Sequence, residues 1–356
     1  MSSPGPRQRT LPVLSAFGAA RTPSQLQQIT QIVQEAGFAS LWVPEGAQPV
    51  FEMCTAAALA TPTLRLGTSV AVAFARSPML TAQAAWMLAQ ETGGRFVLGL
   101  GTQVRAHVER RYSAAFSSPG PRMREYVQAV RAIYAAFRGA PLRFDGRFYS
   151  FSLLTPAWSP GPMEHPDPLI YVAGVRPWMC RMVGEVADGM LVHPLSTRAY
   201  LDQIVMPAIE EGRQIAKRRP DDVALVCPVM TAVSDDQEIR ARQRESIRAR
   251  IAFYGSTPGY GVVFDASGWS GVGEELHRLQ RAGDLEAMKE AITDELLDAI
   301  AITSTWAELP EKLVKRFAGR ADEIVCYSVV EHWRDEADSL ERWQDVNRRF
   351  DDLVRG

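Results

Sequence analysis

Two side chains in this sequence are placed to pass a proton. Glu45 stands in Pro44-Glu45-Gly46-Ala47-Gln48-Pro49, and His107 follows Thr102-Gln103-Val104-Arg105-Ala106. An imidazole near its ordinary pKa of ~6.5 exchanges protons at neutral pH, which makes His107 a candidate shuttle; pairing with Glu109 or a helix-entry role would also account for it. A third patch, Ala173-Gly174-Val175-Arg176, has the makings of an anion cradle. A glycine at a strand end leading into a helix leaves backbone N–H groups free at the positive end of the helix dipole. Arg176 could add a two-pronged contact, although an ordinary strand-to-helix turn with a surface arginine contains the same residues. Arg110 and Arg111 read equally as contacts to an anionic ligand or as solvated helix charges. His193 reads as a pocket wall or core residue.

These residues gain meaning from the elements that carry them. Short apolar runs alternate with amphipathic helices, the pattern of a parallel sheet with crossover helices. The runs are Pro12–Phe17, Ser40–Pro44, Leu64–Val70, Arg95–Gly101, Leu169–Gly174, Gly189–His193, Val223–Met230 and Glu323–Val329. Eight strands is the number at which a small barrel closes with side chains filling its interior. The chain is therefore read as one α/β domain over residues 1–356, a (β/α)8 TIM barrel with residues 1–10 disordered. Between the strands run helices such as Met79–Glu91, Arg122–Phe137 and an unbroken Arg198–Lys217. Ala299–Thr303 is assigned to the end of a helix rather than to a ninth strand. Two insertions follow strands four and seven: a hairpin and Pro-rich loop over 142–168, and an irregular Gly-rich segment over 255–273 carrying Tyr260 and Trp269. Long insertions of this kind serve as lids or binding loops. Residues 331–356 form a closing helix. In such barrels chemistry sits at the C-terminal strand ends, which is where Glu45, Ser69, Val70, Gln103, His107, Gly174 and His193 fall.

Composition excludes several alternatives. The 356 residues are 46% hydrophobic and 22% charged with a formal net charge of −2, unlike a nucleic-acid binder or a disordered chain. The four cysteines lie far apart and the five histidines form no ligand pair, so no metal site is expected. No apolar run approaches the ~18 residues of a membrane span. Arg7 and Arg9 before Leu11–Ala20 imitate a signal peptide, but Pro12 and Gly18 break that run, and the reading is cytoplasmic. Gly99-x-Gly101 lacks the third glycine of a dinucleotide fingerprint.

Other runs carry a resemblance. Gly67-Thr68-Ser69-Val70, Ala75-Arg76-Ser77-Pro78 and Gly93-Gly94-Arg95-Phe96-x-Leu98-Gly99-x-Gly101 together resemble the luciferase-like monooxygenase superfamily. Arg105–Arg111, Met123-Arg124-Glu125-Tyr126, Arg147-Phe148-Tyr149, Ala187-Asp188-Gly189 and Ile251–Ser256 are similar to its branch that uses the deazaflavin coenzyme F420. The resemblance spans about residues 37–330. It implies a bacterial luciferase-like barrel, a non-proline cis peptide at Ser69-Val70 behind a tricyclic ring, Glu45 and Gln103 near that ring, and residues 173–176 on its phosphate. A homodimer is the family expectation. Sugar-phosphate dehydrogenases of the superfamily carry a His and a Trp after strand two and a Glu after strand four; here those positions hold Gly46, Val50 and Gln103 or Val104. That particular dehydrogenation is thereby excluded, and Glu45 and His107 stand as the candidate proton donors.

Three functions remain open at this stage. One is an F420-dependent oxidoreductase moving hydride to or from a small organic substrate. Another is an FMN-dependent monooxygenase. The third is a barrel that has lost its cofactor chemistry.

Overall fold

A computed structural model describes residues 12–356; the expectation for residues 1–10 falls outside them. Eight parallel strands, β1 (Val13–Phe17), β2 (Ser40–Val43), β3 (Arg65–Thr68), β4 (Phe96–Gly101), β5 (Leu169–Ala173), β6 (Gly189–Leu191), β7 (Ala224–Val229) and β8 (Glu323–Cys326), form the barrel wall. Each pairs with its sequence neighbours, and β8 pairs with β1 (Val13 opposite Glu323), so the sheet closes on itself. Each strand is followed by a helix whose start the sequence encodes. Thr22 accepts from the amide of Gln25 just before Pro23–Glu35, and Ser77 accepts from that of Met79 at Pro78–Glu91, with proline at the first helical position in both.

The barrel interior is filled from different strands by Trp42, Val97, Tyr171, Leu191, Val226 and Val325. The Trp42 indole stacks on the Tyr171 ring, centroids 6.0 Å apart and planes inclined by 25°. Beneath them, at the N-terminal strand ends, the buried Glu323 carboxylate accepts hydrogen bonds from Ser15 Oγ, Ser40 Oγ, Trp42 Nε1 (2.7 Å) and the Arg65 guanidinium. A buried carboxylate is tolerated only when paired and hydrogen-bonded. This one is, by groups from β1, β2 and β3, and it plugs the bottom of the barrel.

The glycines of Gly99-x-Gly101 have a packing explanation. The Thr68 hydroxyl accepts from Gly99 N (2.8 Å) and donates to Gly99 O (2.7 Å), bringing the end of β3 against β4 so tightly that a Cβ on Gly99 would fall on the Thr68 carbonyl oxygen. On Gly101 a Cβ would lie 2.5 Å from Val70 Cγ2.

Several sequence expectations are corrected. The third strand stops at Thr68, and the chain rejoins β4 through Ala71 and Val72 after the intervening bulge. Ile302–Ser304 is a strand, not a helix end; it pairs with Thr231–Val233, which prolongs β7 and offers free ladder groups. The segment 255–273 is not irregular: Val263 and Phe264 are buried, and they fold Gly261–Asp265 into a short helix. Arg198–Lys217 is interrupted by a π turn at Leu201–Val205 just before Pro207, which has no N–H to donate. The closing helix is broken between Val329–Asp335 and Ser339–Arg355, where Glu336 turns inward to accept from Ser234 Oγ (3.0 Å) and Trp306 Nε1 (3.2 Å). The expected hairpin is present as Phe144–Asp145 against Ser150–Phe151, its tip amides of Arg147, Phe148 and Tyr149 gathered on the Glu125 carboxylate. Among the described residues no helix is long and apolar enough to cross a membrane.

Gly99→Ala must force β3 from β4 and should cost at least about 2–3 kcal/mol. Gly46→Ala, with nothing within 4 Å of the added carbon, should leave urea unfolding nearly unchanged. Equal midpoints for the two variants would contradict the packing account.

Candidate active site

The C-terminal strand ends converge on a mouth whose floor is apolar. Phe17, Val70 and Ala173 are half-exposed there and pack on the interior cluster. The Ser69–Val70 peptide is cis, and Ser69 N donates to Val43 O at 2.8 Å.

Glu45 does not reach freely into this space. Its carboxylate, 3% exposed, accepts from Val72 N (2.7 Å) and from both Arg76 terminal nitrogens, one of them at 2.7 Å. Arg76 in turn lies 5.4 Å from the Phe51 ring centroid. Both oxygens of Glu45 are thus committed to clamping the loop after β2 onto the continuation of β3. The geometry assigns it a positioning task rather than the proton transfer expected of it.

Gln103, at the end of β4, adopts a left-handed backbone (φ 58°), uncommon for a residue with a Cβ. Its side-chain oxygen accepts from Val104 N at 2.9 Å. Such conformations cluster at ligand sites. His107 follows, partly buried on the short helix Arg105–Arg110. It is not paired with Glu109, whose carboxylate instead meets Arg105 at 2.8 Å. Arg110 and Arg111 are exposed.

The turn 173–176 leads into helix Pro177–Val186, which has no side-chain cap; Pro177 has no N–H and the amides of Met179 and Cys180 donate to Arg176 O, so the Trp178 amide is the one left at this entrance. Arg176 is exposed at the helix entrance. A cavity of about 520 Å³ opens beside it, lined by Arg176 and Pro177 on one side and by Gly259, Val262, Glu274 and His277 on the other. Asp265 also borders it, so the lining carries both signs of charge. Gly174 serves packing as well: a Cβ there would lie 2.7 Å from Met179 Cβ. Tyr200 donates to Val175 O and fixes the turn. A second hollow of about 540 Å³, lined by Ala58–Pro62 and Gln90–Arg95, lies towards the opposite, N-terminal strand ends and away from this chemistry.

On the neighbouring stave stands His193, just past β6, whose Leu191 lies opposite Ala173 in the ladder. Its Nδ1 accepts from Leu195 N at 3.0 Å, so the neutral ring carries its proton on Nε2. The ring meets Tyr254 edge-on (4.8 Å) and Tyr260 at a tilt (4.3 Å). Burial pushes its pKa down to about 3. Tyr254 and Tyr327 share a hydroxyl–hydroxyl bond of 2.9 Å, and Tyr327 stacks on Phe17 at 4.2 Å. Reading of the sequence placed His193 in a wall and did not single out Phe17 or Tyr327. All three sit at or just beyond strand ends, which was the available signal. Among the described residues no group of three or more His, Cys, Asp or Glu side chains could hold a metal, and the four cysteines are buried and form no disulfide.

The luciferase-like monooxygenase family matches residues 7–323. The chain is 39% identical over 307 residues to an uncharacterized protein of Mycobacterium tuberculosis, covering 85% of this chain and 90% of that one. It is 26% identical over 315 residues to a 5,10-methylenetetrahydromethanopterin reductase of Archaeoglobus fulgidus, covering 86% and 90%. Among solved structures, the coenzyme F420-dependent tetrahydromethanopterin reductase of Methanopyrus kandleri superposes with a TM-score of 0.75 at 18% identity, over 95% of this chain and 98% of that one. An FMN complex of the oxygenating constituent of 3,6-diketocamphane monooxygenase from Pseudomonas putida superposes at 0.62 and 14% identity, over 94% and 96%.

His332, with its pKa pushed down to about 4 by burial, joins His193 as an imidazole held neutral in the fold. Both folded values lie below the unfolded ~6.5, so the unfolded chain binds more protons as pH falls. Stability should be full above pH 6.5 and decline below it by up to ~1.4 kcal/mol per pH unit for each ring. Urea unfolding at pH 7, 6 and 5 measures this decline, and His193→Phe should reduce its slope.

Proposed function

The chain belongs to the luciferase-like monooxygenase family and is an oxidoreductase, and from that premise we propose that it binds the deazaflavin coenzyme F420 and moves a hydride between it and a small organic molecule. The observation that carries this reading is a pairing of two surfaces at one barrel mouth. The apolar floor of Phe17, Val70 and Ala173 suits the face of a flat ring. The uncapped entrance of Pro177–Val186, with Arg176 on a 520 Å³ cavity, suits an anionic tail.

The residues present fit such a group. Val70, beside Gly101, would back the ring. Gln103, whose amide nitrogen is not used in the bond to Val104, would face its polar edge. The Trp178 amide, at the helix entrance, and the Arg176 guanidinium would hold the phosphate. Glu45, clamped by Arg76, keeps the shelf in place. When bound, a deazaflavin supplies two-electron hydride chemistry, because carbon replaces the flavin nitrogen needed for oxygen chemistry. Similarity to a putative coenzyme F420-dependent oxidoreductase of Mycobacterium tuberculosis, 27% identical over 340 residues, favours the deazaflavin over FMN.

The protein is mixed with F420 or with FMN, desalted and scanned for visible absorbance and fluorescence. Retention of F420 alone is expected. Retention of FMN alone would make the monooxygenase reading the correct one, and retention of neither would leave a barrel without redox chemistry. Within the deazaflavin reading, Arg176→Ala should weaken F420 binding about tenfold, the value of one charge-assisted contact, with an unchanged Tm. It is a cleaner test than a substitution at Gly174, where any Cβ also meets Met179.

A further inference from the structure

The cofactor surfaces leave one part of the mouth unexplained. His193, Tyr254, Tyr260 and Tyr327 form a contiguous aromatic cluster that begins on the stave next to the 173–176 turn, joined by ring contacts of 4.8 and 4.3 Å and by the 2.9 Å bond between two phenols. Its elements are held firmly. Ser267 Oγ and Thr197 Oγ1 lie 2.6 Å apart and fasten the inserted segment to the helix after β6. The Arg250 guanidinium lies 5.5 Å from the Tyr327 ring centroid and is paired with Glu331 at 3.3 Å.

The protons in this cluster can be counted. The Nδ1 of His193 is occupied by Leu195 N–H, so its one N–H is on Nε2. The two hydroxyls of Tyr254 and Tyr327 hold two hydrogens, of which their mutual bond consumes one. The Tyr260 hydroxyl has its own hydrogen. All four side chains are partly exposed. They present donors on rings and, apart from the paired Arg250, no charge. Burial holds the His193 imidazole neutral, shifted to about 3, and pushes the phenols of Tyr327 and Tyr260 up, the latter to about 12.

We propose that His193, Tyr254, Tyr260 and Tyr327 form the substrate seat, and that its ligand is an uncharged carbonyl compound or the corresponding alcohol carried on a flat or aromatic skeleton. A carbonyl or hydroxyl oxygen accepts from His193 Nε2–H and from the spare phenol hydrogen, while the ligand body lies on the tyrosine faces. A carboxylate or phosphate has no unpaired cation there, and desolvating its charge against the rings is unfavourable. The inference rests on the oxidoreductase reading for its meaning, but the seat is a property of these four residues alone.

The test uses acetophenone and 1-phenylethanol as neutral probes and benzoate as the charged control, each titrated calorimetrically into the full chain. The two neutral probes should bind, and benzoate should bind at least tenfold more weakly. His193→Phe keeps a ring but removes the N–H, and should weaken both neutral probes about tenfold. Tyr254→Phe, which leaves the fold's ring contacts in place, should weaken them severalfold. Equal or tighter binding of benzoate, wild-type affinity in both variants, or no binding of either neutral probe would overturn the seat. Retention of F420 is measured on the same samples. Its absence alongside normal acetophenone binding would sink the cofactor reading and leave the seat standing; the converse would do the opposite.

Discussion

The buried carboxylate of Glu323 is the constraint around which the barrel is arranged. It sits at the N-terminal end of β8 and collects donors from β1, β2 and β3, so four staves meet on one charge. Removing one partner from such a cluster leaves an uncompensated buried charge, which costs several kcal/mol. The same cluster orients the Trp42 indole, and Trp42 with Tyr171 fills the layer above. With the bottom sealed in this way, the open end of the barrel is the C-terminal one. Every candidate site residue lies at that end.

Several motif residues that look chemical prove to be architectural. Glu45 is locked by Arg76 and the amide of Val72. Glu125 collects the three amides at the hairpin tip, and Tyr149 OH accepts from Arg122 at 2.8 Å. Gly99 and Gly101 are required by the close approach of Thr68 and Val70. A charged or glycine residue in a characteristic run therefore earns a functional role only after its local partners are known. Conversely, Gln103 holds an unfavourable backbone conformation and His193 holds an uncommitted N–H, and neither has a packing explanation that accounts for it fully.

The mouth divides electrostatically. On the β5 side, Arg176 and a helix entrance offer donors of positive charge on a cavity that Asp265 and Glu274 also border. On the β6 side, aromatic rings and a neutral imidazole offer donors without charge. A redox site for an anionic coenzyme and a neutral partner needs both properties within one cavity, kept apart. The barrel supplies this separation because adjacent strand ends lie about 5 Å apart and carry independent loops.

Periodicity alone was enough to mark eight staves and their order along the chain, because burial on both faces of a parallel strand writes a continuous apolar run. The strand-end rule likewise put Ser69, Val70, Gln103 and the 173–176 turn at the C-terminal ends of their strands, where the structure has them. What the linear sequence could not reveal was which polar groups would already be spent. Glu45 is satisfied by a residue 31 positions away and Glu323 by one 258 positions away. The short helix Gly261–Asp265 and the strand Ile302–Ser304 exist because the core and the prolonged β7 offer them partners. Hydrogen bonding between distant segments is settled only when the chain closes, and for that reason tertiary structure decided which side chains remain available for chemistry.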